Sequence, residues 1–362
     1  MRVGDVLQLE YGKPLDDARR SPNGRYPAYG ANGVKARTDE YLIDRPSIVV
    51  GRKGSAGEVT LTEPYFWPLD VTYYVTFDAR HHDRKFLYYL LSTLDLPRFA
   101  KGVKPGINRN EVYSQTVRVP SLEEQQHVAS LLDDAFEGIA TARANAERNV
   151  RNARALFDAH VHATFGQRAG CWLETTVDHL STNLDGKRVP ITRAKRTPGD
   201  VPYYGASGVV DYVAEHLFEG DTLLVSEDGA NLLARSTPIA FSVDGKYWVN
   251  NHAHVLRFDD KATQRFVEFY LESIPVDQYV TGAAQPKLTQ KALNSIPIPI
   301  PVDRGERARI VERLEAVSDE AEQLDTLYAR KLAALDELKR SLLHYAFTGK
   351  LTARTLAVHA AP

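Results

Sequence analysis

Residues 121–165 read SLEEQQHVASLLDDAFEGIATARANAERNVRNARALFDAHVHATF. Stepping by seven gives Val128, Ala135, Ala142, Asn149, Leu156 and Ala163, and starting four residues later gives Leu132, Ile139, Ala146, Ala153 and His160. Two rows at that spacing lie on one face of a helix, as in the seam of a coiled coil. Ser121 with Glu124 three residues on forms a capping box that starts the helix, and Gly166 ends it. At about 1.5 Å per residue such a helix spans roughly 67 Å, too long for an ordinary core helix, so it reads as a spacer.

The stripe recurs. Shifted by 182 positions, its rows become Ile310, Val317, Leu324, Lys331, Leu338 and Tyr345, with Leu314, Ala321, Tyr328, Leu335 and Leu342. The first seam is rich in alanine and the second in leucine and tyrosine, so small knobs accept large ones and the helices are expected to pack antiparallel. His162 and His344 occupy equivalent places near this seam, where packing is a better account of them than metal binding.

The segments before the helices are repeats as well. Pro27-Ala28-Tyr29-Gly30-Ala31-Asn32-Gly33-Val34 returns as Pro202-Tyr203-Tyr204-Gly205-Ala206-Ser207-Gly208-Val209, identical at six of eight positions. Ile48-Val49-Val50 matches Leu223-Leu224-Val225, and after a small insertion Phe86 matches Phe266. The first half reads as a mixed domain with a buried strand at 48–50, a strand at 72–77, a helix at 86–94 and an alternating strand Thr116–Val119 before Pro120, and each half is a globular domain followed by a long helix.

The fold class is therefore α+β, with mixed α/β globular domains and two long antiparallel coiled-coil helices in an internal pseudo-two-fold duplication. The expected boundaries are 1–119, a first globular domain; 120–168, a spacer helix; 169–301, a second domain; 302–350, a second spacer helix; and 351–362, a C-terminal tail. Two antiparallel helices with a domain before each place the domains apart and facing one way, which suits a ligand with roughly dyadic geometry such as double-stranded DNA.

Composition is that of an ordinary globular protein, at 43% hydrophobic and 25% charged, so each domain has material for a core. No run approaches a membrane span and the first residues lack a signal-peptide pattern, so the expected location is cytoplasmic. The single cysteine, Cys171, excludes a disulfide framework and beside Trp172 reads as core filler. Lys and Arg exceed Asp and Glu by 4 in residues 1–119 and fall short by 4 in residues 169–301. With no dominant basic face, phosphate neutralisation must come from local clusters or from partner subunits.

Taken together, these blocks resemble the specificity subunit of type I restriction-modification systems. The resemblance is carried by the repeated Pro-Xaa-Tyr-Gly-Ala-Xaa-Gly-Val blocks, by the helix start Val119-Pro120-Ser121-Leu122-Glu123-Glu124-Gln125, and by the closing Leu342-Leu343-His344-Tyr345-Ala346-Phe347-Thr348-Gly349-Lys350-Leu351. It implies that 1–119 and 169–301 are target-recognition domains for a split DNA site. It also implies that the helices scaffold two DNA methyltransferase (modification) subunits, joined by restriction/translocase subunits. No cofactor is then expected in this chain; S-adenosylmethionine, ATP and Mg belong to the partners. The second helix start, Ile300-Pro301-Val302-Asp303-Arg304-Gly305-Glu306, lacks the Glu-Glu-Gln triplet, and Asp303 is expected to cap it instead.

Candidate DNA contacts follow from side-chain chemistry at repeated places. In the Tyr-Gly-Ala-Xaa-Gly blocks the glycines suit a tight turn, with Tyr29 and Tyr204 open to stacking or phosphate contact. Arg52 and Lys53 follow the first buried strand in a Gly-rich loop able to hold a phosphate; the matching loop carries Glu227 and Asn231, and either the two loops read different bases, with an acidic side chain accepting from a cytosine amino group, or the loop is structural. The loops before the last strand mix cations with amides and hydroxyls: Lys101, Lys104, Asn108 and Arg109 in the first half, Gln285, Lys287, Thr289 and Lys291 in the second. Arg19, Arg20 and Arg25, and Lys187 and Arg188 with Arg193, Lys195 and Arg196, form basic runs that are either solvated faces or phosphate contacts. His252 sits in a polar Asn-Asn-His cluster, either a turn or a base reader.

Motifs for base methylation, nucleotide binding, a Walker A lysine or a His-Glu-Xaa-Xaa-His metal site are missing from the sequence. The reading is a non-catalytic DNA-recognition subunit. A stand-alone DNA-modifying or DNA-cleaving enzyme, and a coiled-coil scaffold without a DNA role, are the alternatives that assay of the purified chain and domain exchange would separate.

Overall fold

The computed structural model describes residues 1–102, 105–168, 171–282 and 284–348. Lys104 and the expected tail 351–362 lie outside the described residues, as does the end of the closing motif from Gly349. The chain divides into two units: unit 1 is Met1–Ala146 with the chain from Arg330 on, and unit 2 is Glu147–Ala329.

Unit 1 opens with α1 (Val3–Val6) and β1 (Gln8–Tyr11), then β2 (Tyr26–Gly30), β3 (Gly33–Thr38), β4 (Ile48–Gly51), β5 (Val59–Leu61), β6 (Trp67–Pro68) and β7 (Thr72–Thr76). After α2 (Arg84–Ser92) come β8 (Ala100–Lys101), β9 (Gly106–Ile107) and α3 (Arg109–Tyr113), and the long α4 (Leu122–Gly166) leads out. A four-stranded antiparallel sheet runs β1-β7-β4-β5, and a three-stranded sheet runs β3-β2-β6 with β6 parallel to β2. The apolar run Ile48-Val49-Val50 is buried because β4 is central to its sheet.

Unit 2 repeats this plan. β10 (Trp172–Thr176), α5 (Val177–Leu180) and β11 (Ser181–Asn183) are followed by β12 (Val201–Gly205), β13 (Gly208–Val213), β14 (Phe218–Glu219), β15 (Thr222–Ser226), α6 (Asn231–Ala234), β16 (Ala240–Val243), β17 (Lys246–Val249) and β18 (Ala253–Phe258). Then come α7 (Lys261–Ser273), β19 (Val280–Thr281), β20 (Lys287–Leu288), α8 (Gln290–Asn294), β21 (Pro297–Pro301) and α9 (Arg304–Phe347). The sheet β11-β18-β15-β16 matches β1-β7-β4-β5 in order and direction, and β12 pairs in parallel with β17 as β2 does with β6.

The duplicated Tyr-Gly-Ala-Xaa-Gly blocks are β-hairpin turns. Gly30 pairs with Gly33 and Gly205 with Gly208, and Gly33 and Gly208 take φ of 105° and 116°, a conformation costly for any residue with a Cβ. Both hairpins carry a register shift just before the block, between Ala28 and Tyr29 and between Tyr203 and Tyr204.

The helix starts form as their side chains dictate. The Ser121 hydroxyl accepts from the Glu124 amide and the Glu124 carboxylate accepts from the Ser121 amide, both at 3.3 Å. Asp303 accepts from the Gly305 amide at 2.9 Å, so it caps α9 as expected. Gln125, fully buried, accepts from the Asp83 amide (3.0 Å) and donates to the His81 and Pro120 carbonyls (3.0 and 2.9 Å), tying α4 to the sheet domain. At the equivalent position of α9 stands Arg307, which donates to the Pro301 carbonyl (2.8 Å) and the Thr263 hydroxyl (3.0 Å). A different side chain thus does the work of the missing Glu-Glu-Gln triplet.

The two long helices pair antiparallel within each unit. In unit 1 the Lys339 ammonium lies 5.2 Å from the Phe136 ring and Arg143 pairs with Asp336 at 2.5 Å, while Val128, Ala129 and Leu132 share a core with Ala346. In unit 2 the Asn149 amide donates to the Tyr328 hydroxyl (2.7 Å) and Arg154 pairs with Asp325 (2.5 Å), and Val161 and Phe165 share a core with Ile310, Val311 and Leu314.

Four expectations need correction. The seam is not closed along its length: Leu156 is 69% exposed and Leu324, Leu338 and Tyr345 are exposed too, because two helices alone cannot cover an apolar stripe this wide. His162 and His344, expected in that seam, are exposed. Cys171 is also exposed, since it precedes β10 and offers its carbonyl, not its thiol, to the Val302 amide. Thr116–Val119 is not a strand, although its counterpart Pro297–Pro301 is. β10 gives the latter five partners, whereas opposite Thr116–Val119 α1 begins at Val3 and leaves Arg2 to bridge Thr116 and Met1 to exchange main-chain bonds with Val117.

Candidate nucleic-acid interface

The small hairpins β8–β9 and β19–β20 and the loops after β4 and β15 come together in each unit. Isolated bridges join Lys53 to Gly106 and Asp228 to Lys287, so the same two loops meet in both copies. Each hairpin runs into a short helix capped by a polar side chain: Asn108 accepts from the Asn110 amide (3.0 Å), and Thr289 accepts from the Ala292 amide (3.3 Å). Four of the sequence-selected residues in unit 1, Arg52, Lys53, Asn108 and Arg109, are thereby brought to one place.

In unit 1, Arg52 donates from Nε and Nη2 to the Asp70 carbonyl (3.1 and 2.6 Å) and lies 5.2 Å from the Tyr11 ring. Arg109 donates to the Leu9 carbonyl (3.1 Å) and lies 5.0 Å from the same ring. Tyr11, 49% exposed, packs on Tyr73 with ring centroids 5.1 Å apart. Burial first, then the neighbouring Tyr11, pushes the Tyr73 hydroxyl up to about 12, so it remains a donor, to the Ile107 carbonyl at 3.0 Å. Lys53 is exposed, and Lys101 pairs with Glu111 at 2.6 Å.

Unit 2 fills the corresponding space with ions. Glu227 accepts from Arg188 (2.6 Å) and Lys287 (3.1 Å), and Asp185 faces His254 Nδ1 (2.5 Å) and accepts from the Val255 amide (2.9 Å). His254 Nε2 meets the Leu288 carbonyl at 2.8 Å. Burial raises the Asp185 and Glu227 carboxyls, but His254 for the first, and Arg188 and Lys287 for the second, outweigh it and leave both below their ordinary values. The ligand atoms of Asp185, Glu227 and His254 lie within 4.8 Å of one another, a metal-like grouping. Two cations already balance these carboxylates and both His254 nitrogens have partners, so the group is complete as an ion network.

Other selected residues are spread over the surface or into the core. Arg19 pairs with Glu40 and stacks over Trp67 at 4.7 Å; Arg20 pairs with Asp17 (2.9 Å); Arg25 lies 5.9 Å from the Tyr26 ring. Tyr29 is buried edge-on to Phe66, and half-buried Tyr204 packs on Phe241 and Tyr247; burial raises both hydroxyls. Both rings pack on the core, which gives the hairpin a fixed seat. Asn231 holds its own loop, donating to the Thr237 carbonyl (2.9 Å), and His252 pairs with Asp228 (2.9 Å). Lys187, Gln285 and Lys291 are exposed.

Reasoning from sequence missed Tyr11, Asp185 and His254. Their place becomes visible only once β1 and β11 are paired with β7 and β18, a pairing set by neighbours more than 60 residues away.

Comparison with known proteins gives one family. The family of the type I restriction modification DNA specificity domain matches residues 1–147 and 180–328. A protein of Haemophilus influenzae named as a type I restriction enzyme specificity subunit is 35% identical over 146 residues, 40% of this chain and 37% of that one. Another of that name from Methanocaldococcus jannaschii is 23% identical over 315 residues, 78% of this chain and 69% of the other. The chain thus spans under two fifths of the Haemophilus relative's length. A solved structure described as the basis of complex assembly and conformational transition of the type I restriction-modification system shares the fold, with TM-score 0.75, 14% identity and 97% of each chain covered. Among the described residues no helix is long and apolar enough to cross a membrane.

Proposed function

Since the chain belongs to the type I restriction-modification DNA specificity family, we propose that it is the sequence-reading, non-catalytic subunit of such a complex. Residues 1–119 read one half of a divided duplex target and residues 169–301 the other. The observation that carries this reading is the duplication: one sheet plan, hairpin block and loop pair occurs twice, and the family matches both copies. Two copies of one recognition fold suit two half-sites.

The long helices are the docking platform for two methyltransferase subunits, with restriction/translocase subunits joining the assembly. Leu156, Leu327 and Leu338 are 69%, 57% and 46% exposed, apolar surface that suits helices of a partner. S-adenosylmethionine, ATP and Mg are assigned to those partners.

The test is genome-wide mapping of methylated bases in cells with and without the gene. A split motif present only with the gene is expected; an identical methylation map in both overturns the reading. Exchange of residues 1–119 for another recognition domain is expected to change one half of the motif and leave the other.

A further inference from the structure

The duplication allows one place in the fold to be compared residue by residue. Val50 pairs with Tyr73 as Val225 pairs with His254. The Tyr73 hydroxyl meets the Ile107 carbonyl as His254 Nε2 meets that of Leu288. Tyr11 faces Tyr73 across β1 and β7 as Asp185 faces His254. Arg52 precedes the bridging residue Lys53 as Glu227 precedes Asp228. The backbone is the same, and the chemistry is opposite.

In unit 2 this place is self-neutralised, with Arg188 beside both Asp185 and Glu227 and Lys287 beside Glu227. In unit 1 it holds an exposed ring with a guanidinium against it on Arg52 and another on Arg109, and neither has a carboxylate within 4.0 Å among the described residues. Both guanidiniums are held in place by main-chain carbonyls, Asp70 for Arg52 and Leu9 for Arg109. These bonds leave Nη1 of Arg52 and the Nε/Nη2 edge of Arg109 for a ligand. Lys53 stands exposed on the adjoining loop. Fixed cations that an anion need not reorganise form a preorganised site, and a planar guanidinium edge fits phosphate oxygens.

We infer that Tyr11, Arg52 and Arg109 form a phosphate-binding site that takes one phosphodiester group of the DNA duplex, and that the equivalent place in unit 2 takes none. The two halves then grip the duplex unequally: the first anchors the backbone through this cluster, and the second spends the same position on internal ion pairs. This rests on the reading that the chain binds DNA.

The experiment uses the full chain co-purified with its methyltransferase subunits and a mixed-sequence duplex, with affinity measured between 50 and 300 mM KCl, roughly the range over which counterion release is read. The double variant R52Q/R109Q is expected to lower the slope of log affinity against log salt by about 0.9, the value for one phosphate contact, with R52Q and R109Q each giving part of that drop. R52K and R109K keep the charge and are expected to keep the wild-type slope, which separates loss of the site from loss of fold. Arg80, an exposed cation of the same unit paired with Asp78, is the control, and R80Q is expected to leave the slope unchanged. Wild-type slopes in R52Q and R109Q, or an equal drop in R80Q, overturn the site while DNA binding itself stands. Loss of preference at one base pair with the slope intact also overturns it, because the guanidiniums then read a base edge. Absence of duplex binding by the wild-type complex overturns both this site and the proposed function.

Discussion

Asp185 is a buried carboxylate in unit 2. Its side chain is 5% exposed and faces His254, the Val255 amide and Arg188. A carboxyl lowered in the folded state and ordinary in the unfolded state gives stability that is complete above about pH 4 and lost as pH falls through the folded value. Glu227 is lowered in the same way and adds to the effect. Urea unfolding of the full chain is therefore expected to lose stability progressively as pH falls below about 4. D185N should remove part of that dependence and, by taking a buried carboxylate away from Arg188, His254 and the Val255 amide, cost about 3 kcal/mol at neutral pH; unchanged stability in D185N would contradict the account. At the hairpin turns, G33A and G208A each force a Cβ into a left-handed backbone and should cost about 1 kcal/mol, read as a lowered midpoint in the same experiment. Such roles were only partly legible. The turn glycines carry their own signature, but Tyr11 in Leu9-Glu10-Tyr11-Gly12 carries none, because its neighbours Arg52 and Arg109 come from the loop after β4 and the start of α3.

Among the elements, the long helices were the most legible and their contacts the least. A seven-residue repeat and a capping box mark α4 from sequence, and its bounds, Leu122–Gly166, follow. The repeat cannot say which of its positions are covered in a pair of helices. Leu132 is 1% exposed within the unit 1 core, whereas Leu156 is 69% exposed. L132A is expected to destabilise the chain by about 3 kcal/mol. L156A should change stability by less than about 0.5 kcal/mol yet weaken assembly with the methyltransferase subunits, measured by co-purification. Full assembly in L156A would count against a partner at that position. Short strands were less legible for a related reason: Thr116–Val119 and Pro297–Pro301 have similar patterns, and the length of chain lying opposite decides which becomes a strand.

For the whole chain, the duplication was read directly from identical blocks, and it organises both units as observed. The proposed spacer role gives a further expectation. Inserting four residues, about one helical turn, into both α4 and α9 should change the gap between the two halves of the methylated motif; an unchanged gap would contradict it. The path of the chain through its units has another consequence. The core of unit 1 includes Ala346, with Leu342, Leu343 and Phe347 packed against it, and the Phe347 ring lies 5.1 Å from that of Phe86. The unit whose synthesis starts first is therefore finished last: while the ribosome makes the intervening residues, its apolar surface waits for a closing segment from the far end of α9. Unit 2, Glu147–Ala329, has all its residues earlier. A chain stopped before residue 342 should leave unit 2 protected from proteolysis and unit 1 open to it, so premature termination strikes the half translated first.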